Sequence, residues 1–274
     1  PDWSRGLGDV YKRQTYSFTY DANVSSHTYS YTFHTGGSGS NHNATNDIST
    51  IRGYEVYSYN QGNGANFGFE NVSIVSKFTI DGNQTIDCSD SQYIPFLTIK
   101  SGSTLNIKKG GSVKVKGDFE NGGIVKITSD SNEYGSLILE GSTSGNITYN
   151  RYVHDKTVGE WDLVGSPVGS QSISGFVTTN NGSLATNSDQ YAVGTYSNAS
   201  GGGWSNYTTS SGSNDVANAG NFPAGTGYQM ASEGGGTLTF TGTVATSDQT
   251  VAITDNSGSG GTKWNLVANP FPSY

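Results

Sequence analysis

The sequence predicts an all-β chain, a short β-solenoid (β-helix-like) followed by a β-sandwich or jelly-roll domain. Three observations carry this expectation. Apolar residues recur as alternating pairs and not at helical spacing. The stretches between them are rich in Gly, Ser, Thr and Asn, residues that suit turns and strands better than helix interiors. Leu, Ile, Val and Phe make up only 52 of 274 residues, while 17 Tyr and 4 Trp supply much of the surface that can be buried. The formal net charge of −8 is too small to read the aliphatic deficit as disorder.

Residues 1–14 (PDWSRGLGDVYKRQ) differ in character from the rest of the chain and carry three of the 14 basic residues. They resemble translated sequencing-adapter sequence and are read as a non-native scar. Residues 15–70 read as a β-hairpin and N-terminal β region. Tyr16, Phe18 and Tyr20 alternate with polar residues, as do Tyr29, Tyr31 and Phe33, and period-two alternation marks a half-buried strand.

Residues 71–150 are expected to form the solenoid. Leu97 and Ile99, Leu105 and Ile107, and Val113 and Val115 repeat every eight residues. Further pairs come at Val125 and Ile127, Leu137 and Leu139, and Ile147 and Tyr149, with Gly in the turns between. A strand this short cannot bury its apolar side alone, and stacking coils builds one continuous core. An antiparallel meander within a sandwich is the competing arrangement.

Residues 151–274 are expected to form the sandwich, ending inside a domain at the C-terminus. Trp161 to Pro167 and Trp264 to Pro270 both read W-x-L-V-x-x-P, 103 residues apart. Each reads as a short apolar strand anchored by its Trp and stopped by a proline. The segments 191–196, 227–230, 238–240 and 251–253 are further strand candidates.

Composition excludes several chemistries. One cysteine, Cys88, allows no intrachain disulfide framework and no cysteine-based metal site, and reads as a small buried hydrophobe. An isoelectric point near 4.8 with 14 Lys plus Arg argues against a nucleic-acid partner. No apolar run reaches the ~18–20 residues of a membrane helix. The stretch Asp130 to Gly135 begins like an EF-hand loop but has Tyr134 at position five and Gly141 at position twelve, so it reads as a solvated corner. His27, His34 and His42 make a weak zinc candidate. The solenoid acids, with Asp118, Glu120 and Lys116 as the test group, fall mostly at turns, and no catalytic residue, metal or cofactor is assigned.

The runs LTIKSGSTLNIKKGGSVKVKGDFENGGIVKITSDSNEYGSLILEGSTSGNITYNRYV (97–153), EWDLVGSPV (160–168), FPAGTGYQM (222–230), LTFTGTV (238–244) and KWNLVANPFPS (263–273) resemble large secreted proteins of Bacteroidota. In those proteins solenoid turns precede a β-sandwich, and a sorting domain for type IX secretion lies further on. The resemblance implies an extracellular or outer-surface location and an adhesin-like role.

The function expected is therefore a non-catalytic structural or adhesive segment of a secreted bacterial surface protein. The alternative is a carbohydrate-binding module of a secreted polysaccharide-degrading protein. The candidate glycan-binding residues are Tyr191, Tyr196, Trp204 and Tyr207, which flank a Gly/Ser-rich loop. Aromatic rings stack on the apolar faces of sugars, although strand aromatics commonly pack inward instead. The partner expected is extracellular polysaccharide or cell-surface glycan, without nucleic acid and without membrane insertion.

Overall fold

The computed structural model describes residues 31–32, 76–158 and 161–273. The stretch 1–14, expected to be a non-native scar, the β-hairpin region expected at 15–70 apart from Tyr31–Thr32, and the three N-terminal histidines lie outside the described residues.

The first half is a parallel solenoid of about four turns. Its strands are β1 (Tyr31–Thr32), β2 (Ser76–Ile80), β3 (Thr85–Cys88), β4 (Ser91–Ile94), β5 (Phe96–Ile99), β6 (Thr104–Ile107), β7 (Ser112–Val115), β8 (Phe119–Asn121), β9 (Ile124–Thr128), β10 (Ser136–Leu139), β11 (Thr143–Ser144) and β12 (Ile147–Val153). They form three parallel ladders, β1-β2-β5-β8-β11, β4-β7-β10 and β3-β6-β9-β12. Each full coil therefore has three sides. The eight-residue spacing from Leu97 to Leu105 to Val113 is the length of one side, and the residue stacked on each lies a whole coil away. Leu97 rests between Phe78 and Phe119, Leu105 between Ile86 and Val125, and Val113 beside Leu137.

The interior is a set of apolar rows. The longest runs through Cys88, Ile107, Ile127 and Tyr149, all buried. Cys88 is 1% exposed, and its thiol donates to the Asp90 carbonyl at 3.2 Å. Outward positions carry the charges, as period-two alternation requires. The corners close where the backbone turns left-handed. At Gly145, φ is +84° and a Cβ would collide with the Asn121 carbonyl of the coil below, so only glycine fits.

The expected boundary at residue 150 falls inside β12. That strand continues the solenoid ladder on one edge and pairs antiparallel on the other with β18 (Gly236–Gly242), over seven residue pairs from Ile147↔Gly242 to Val153↔Gly236. Phe240 faces Tyr149 and extends the longest core row by one strand. The segment 238–240, expected in the sandwich, thus completes the solenoid sheet.

Between these strands lies a second sheet of β13 (Asp162–Gly165), β14 (Thr186–Asn187), β15 (Gln190–Ser197), β16 (Gly203–Thr208) and β17 (Gly227–Met230). The order is β13-β17-β15, with β14 and β16 on β15. The layer that covers its inner face includes one helix, α1 (Ile173–Thr179), together with β18. Phe176 of α1 packs 4.7 Å from Phe240, and Phe222 stands edge-on to both Phe176 and Tyr228 of β17. This aromatic group makes the solenoid and the second sheet share one core.

Two strand expectations fail. Residues 251–253 form no strand, and Ile253 is exposed. The second Trp motif also forms no ladder. β13, its counterpart, holds one edge of β17 and β15 the other, and residues 266–268 make only an isolated antiparallel bridge, Thr226↔Val267, just before β17. Gly227 N–H donates to the Leu266 carbonyl at 3.2 Å and Ala268 N–H to Gly225 at 2.8 Å. Neither Trp is an anchor, Trp161 being 42% and Trp264 76% exposed.

Candidate aromatic and amide face

The second sheet presents a patterned outer face. Tyr228 and Met230 point into the core, so Gln229 between them points outward. Leu163 of β13, Gln229 of β17, Gly194 of β15 and Asn206 of β16 stand directly opposite one another and form one row across four strands. Gln229 Nε2 donates to Asn206 Oδ1 at 2.6 Å. This bond passes over Gly194, where a Cβ would strike the Asn206 side chain.

The next position along the face holds Tyr196 opposite Trp204. Their ring centroids lie 5.2 Å apart at 60°, and Trp204 is 48% exposed. Tyr196 Oη lies 3.3 Å from Thr262 Oγ1. Trp204 is thus braced edge-on by a tyrosine, itself tied to the 262–268 segment, and keeps half its surface open. Edge-to-face pairs of this kind are worth ~0.5–1.5 kcal/mol.

Of the four residues expected to contact glycan, the structure brings Tyr196 and Trp204 together on this face. It turns the other two away. Tyr207 lies one position past Asn206 and so on the opposite face of β16, where it packs against the core and hydrogen-bonds Tyr228. Burial raises the Tyr207 hydroxyl above its ordinary pKa, and burial holds Tyr228 far above it. Tyr191 also packs against the core, on the side of the register shift between Gln190 and Gly194 that separates it from Tyr196. Asn206, Gln229 and Leu163 were not expected. The alternation in Trp204-Ser205-Asn206-Tyr207 was the available signal, since it puts Trp204 and Asn206 on one face.

The solenoid acids have other partners. Glu120 meets Lys77 at 3.0 Å and Thr98 at 2.9 Å, Glu140 meets Lys114 at 2.6 Å, and Lys108 meets Asp87 at 3.4 Å. Asp118 accepts from Ser142 Oγ at 2.5 Å. Asp130 pairs with Lys109 and accepts the backbone N–H groups of Asn132 and Glu133, each at 2.9 Å. The Lys109 hydrogen bond and those two N–H groups hold its carboxyl down to a pKa of about 2. The hydrogen bond from Lys77 likewise lowers Glu120, helped by Thr98. Most of these bonds tie one coil to the next and brace the outer surface of the stack.

No curated protein and no solved structure matches this chain. A family model described as a domain of unknown function (DUF8693) matches residues 70–274, which include both the solenoid from β2 onward and the second sheet. The chain therefore belongs to the DUF8693 family.

Proposed function

We propose that this chain is a non-catalytic structural or adhesive segment of a secreted bacterial surface protein, meeting extracellular polysaccharide or cell-surface glycan through the outer face of its second sheet. The observation that carries the reading is the half-exposed Trp204, braced by Tyr196 beside the Gln229–Asn206 amide pair. A flat ring on a hydrogen-bonded sheet stacks against the apolar face of a sugar with little further ordering, and neighbouring amides can bind its hydroxyls. The solenoid supports the structural half of the role. It is a shared-core stack cross-braced between coils by ion pairs.

The acidic balance, with a formal net charge of −8, favours neutral or cationic surfaces over nucleic acid. No helix among the described residues is long and apolar enough to cross a membrane. The resemblance to secreted Bacteroidota proteins supports an extracellular or outer-surface location, with export by type IX secretion as part of the same reading.

The test is retention of the full chain on a panel of immobilised polysaccharides and on glycan arrays. Saturable binding to at least one glycan, lost in Trp204→Ala while the variant still melts cooperatively as a folded chain, supports the proposal. Indifference of every glycan to the substitution refutes the adhesive role of this face. The same face also suits a carbohydrate-binding module serving a polysaccharide-degrading protein. Preference for a purified soluble polysaccharide over whole cells would favour that second reading.

A further inference from the structure

A second site lies where the solenoid ends. Along β12 the inward positions are Ile147, Tyr149, Arg151 and Val153, so a cation occupies a row that is otherwise apolar or aromatic. Arg151 stands opposite Leu238, which is fully buried. Its guanidinium carbon sits 4.0 Å above the centre of the Tyr134 ring. Its Nη1 is buried and has no hydrogen-bond partner among the described residues. A guanidinium stays charged at any relevant pH and carries its donors in a planar fork. Stacking on Tyr134 uses the face of that plane and leaves its edge for an acceptor.

Arg151 is among the residues lining a pocket of about 360 Å³, within the size range of small-ligand sites. Both Trp motifs contribute to its walls, with Val164 and Val267 at matching positions. Leu163, Val164 and Pro167 come from the first, and Val267, Ala268 and Phe271 from the second and the residue after it. The C-terminal segment is fixed there by a hydrogen bond from Leu137 N–H to the Pro272 carbonyl at 2.7 Å. The side chains of Tyr149 and Asn269 are engaged. Tyr149 Oη donates to the Gly135 carbonyl at 3.1 Å, Asn269 Nδ2 donates to the Ser273 carbonyl at 2.6 Å, and Asn269 Oδ1 accepts from Phe271 N–H at 3.0 Å. Arg151 is the one charged residue of the lining among the described residues, and no acid is among it.

We propose that this pocket binds a small monocarboxylate with an apolar body. The carboxylate takes the fork of Arg151, for which bidentate pairing is the natural geometry, and the body lies between the two motif segments. A phosphate would call for more donors than one guanidinium offers, and the aliphatic walls from the two motifs suit an apolar body better than a sugar ring. The inference is independent of the glycan face on the second sheet.

Titration calorimetry on the full chain tests it, with benzoate and hexanoate as probes and benzyl alcohol, glucuronate and inorganic phosphate as comparators. Saturable binding of benzoate or hexanoate is expected, with none of benzyl alcohol. Arg151→Gln should weaken it by more than about tenfold, and Arg151→Lys by less, since charge remains and the fork is lost. Val267→Trp narrows the pocket from an exposed position and should weaken binding even if the Arg151 variants fold poorly. Absence of saturable binding by both carboxylates overturns the proposal. So does equal binding of the neutral alcohol, preference for glucuronate or phosphate, or unchanged affinity in both Arg151→Gln and Val267→Trp.

Discussion

Gln229 and Asn206 belong to strands that do not pair with each other, yet their side chains join at 2.6 Å over the bare backbone of Gly194. The bond spans a whole intervening strand and locks the outer face beside Trp204. It engages one N–H of Gln229 and the oxygen of Asn206, so the Gln229 carbonyl and the Asn206 amino group can still face a ligand hydroxyl.

Gly194→Ala should break this arrangement. Its Cβ would meet the Asn206 side chain and the Ser205 carbonyl, so either the amide bridge opens or the strand shifts. A loss of ~1–3 kcal/mol is expected in urea unfolding, as for other overpacked sites, together with weaker glycan retention. Wild-type stability in this variant would mean that the bridge does not constrain the face.

Trp204→Ala should separate stability from binding. Losing the edge-to-face contact with Tyr196 costs ~0.5–1.5 kcal/mol on top of the indole's partial burial, leaving the chain folded, while retention on the glycan recognised by the parent chain should disappear. A variant that melts like wild type and binds equally well rules out Trp204 as the contact residue.

Leu105→Ala should cost ~2–5 kcal/mol, because the side chain is fully buried between Ile86 and Val125 and the coils above and below cannot collapse into the gap. Ile124→Ala, on a side chain 58% exposed in the next coil, should stay within about 0.5 kcal/mol. Chemical denaturation of the two variants side by side checks the inward and outward assignment directly.

Gly145→Ala and Gly182→Ala distinguish backbone strain from collision. Both residues have a left-handed φ, +84° and +85°. Gly182 has open space around it, whereas Gly145 abuts the Asn121 carbonyl. Gly182→Ala should cost about 1 kcal/mol, and Gly145→Ala clearly more, toward the ~3 kcal/mol end of backbone-strain penalties. Equal losses would show that the corner can open without disturbing the coil below.

Acid should weaken the stack through Asp130. Its folded pKa of about 2 lies below the ordinary 3.8 because of Lys109 and the N–H groups of Asn132 and Glu133. A depressed carboxyl stabilises the folded chain fully above its unfolded pKa, and that contribution is lost as pH falls toward the folded value. Melting temperatures measured from about pH 5 down to about pH 2 should fall less steeply in Asp130→Asn than in the parent chain. Parallel curves would remove Asp130 from the acid response.

The solenoid was legible because its inward residues alternate at fixed spacing, and Leu97, Leu105 and Val113 all point into the core. Period-two alternation reports which way a side chain faces but not which strand lies beside it. That is why the eight-residue repeat disclosed the sides and not the three-sided coil. Helix α1 was missed although Ser172 is a sound N-cap, accepting from Gly175 N–H at 3.0 Å. Its buried residues Ile173, Phe176 and Val177 show helical spacing over only seven residues, too short a run to stand out among strands. The candidate face was half legible. Trp204 and Tyr196 could be named, but the amide row depends on the register of β17 against β15, which separates Gln229 from Gly194 by 35 positions in the chain.

The pairing of β12 with β18 also dictates a timetable. Coils can be laid down one after another as the chain emerges, since each needs only its predecessor. The last rung, however, waits for residues 236–242, and until they arrive the row of N–H and C=O groups along β12 stays open to whatever other strand is near. A ribosome or translocation channel must deliver roughly 80 further residues before that row is covered. A piece of this protein cut just before Gly236 would retain every coil and still be the version most prone to stick to its own copies.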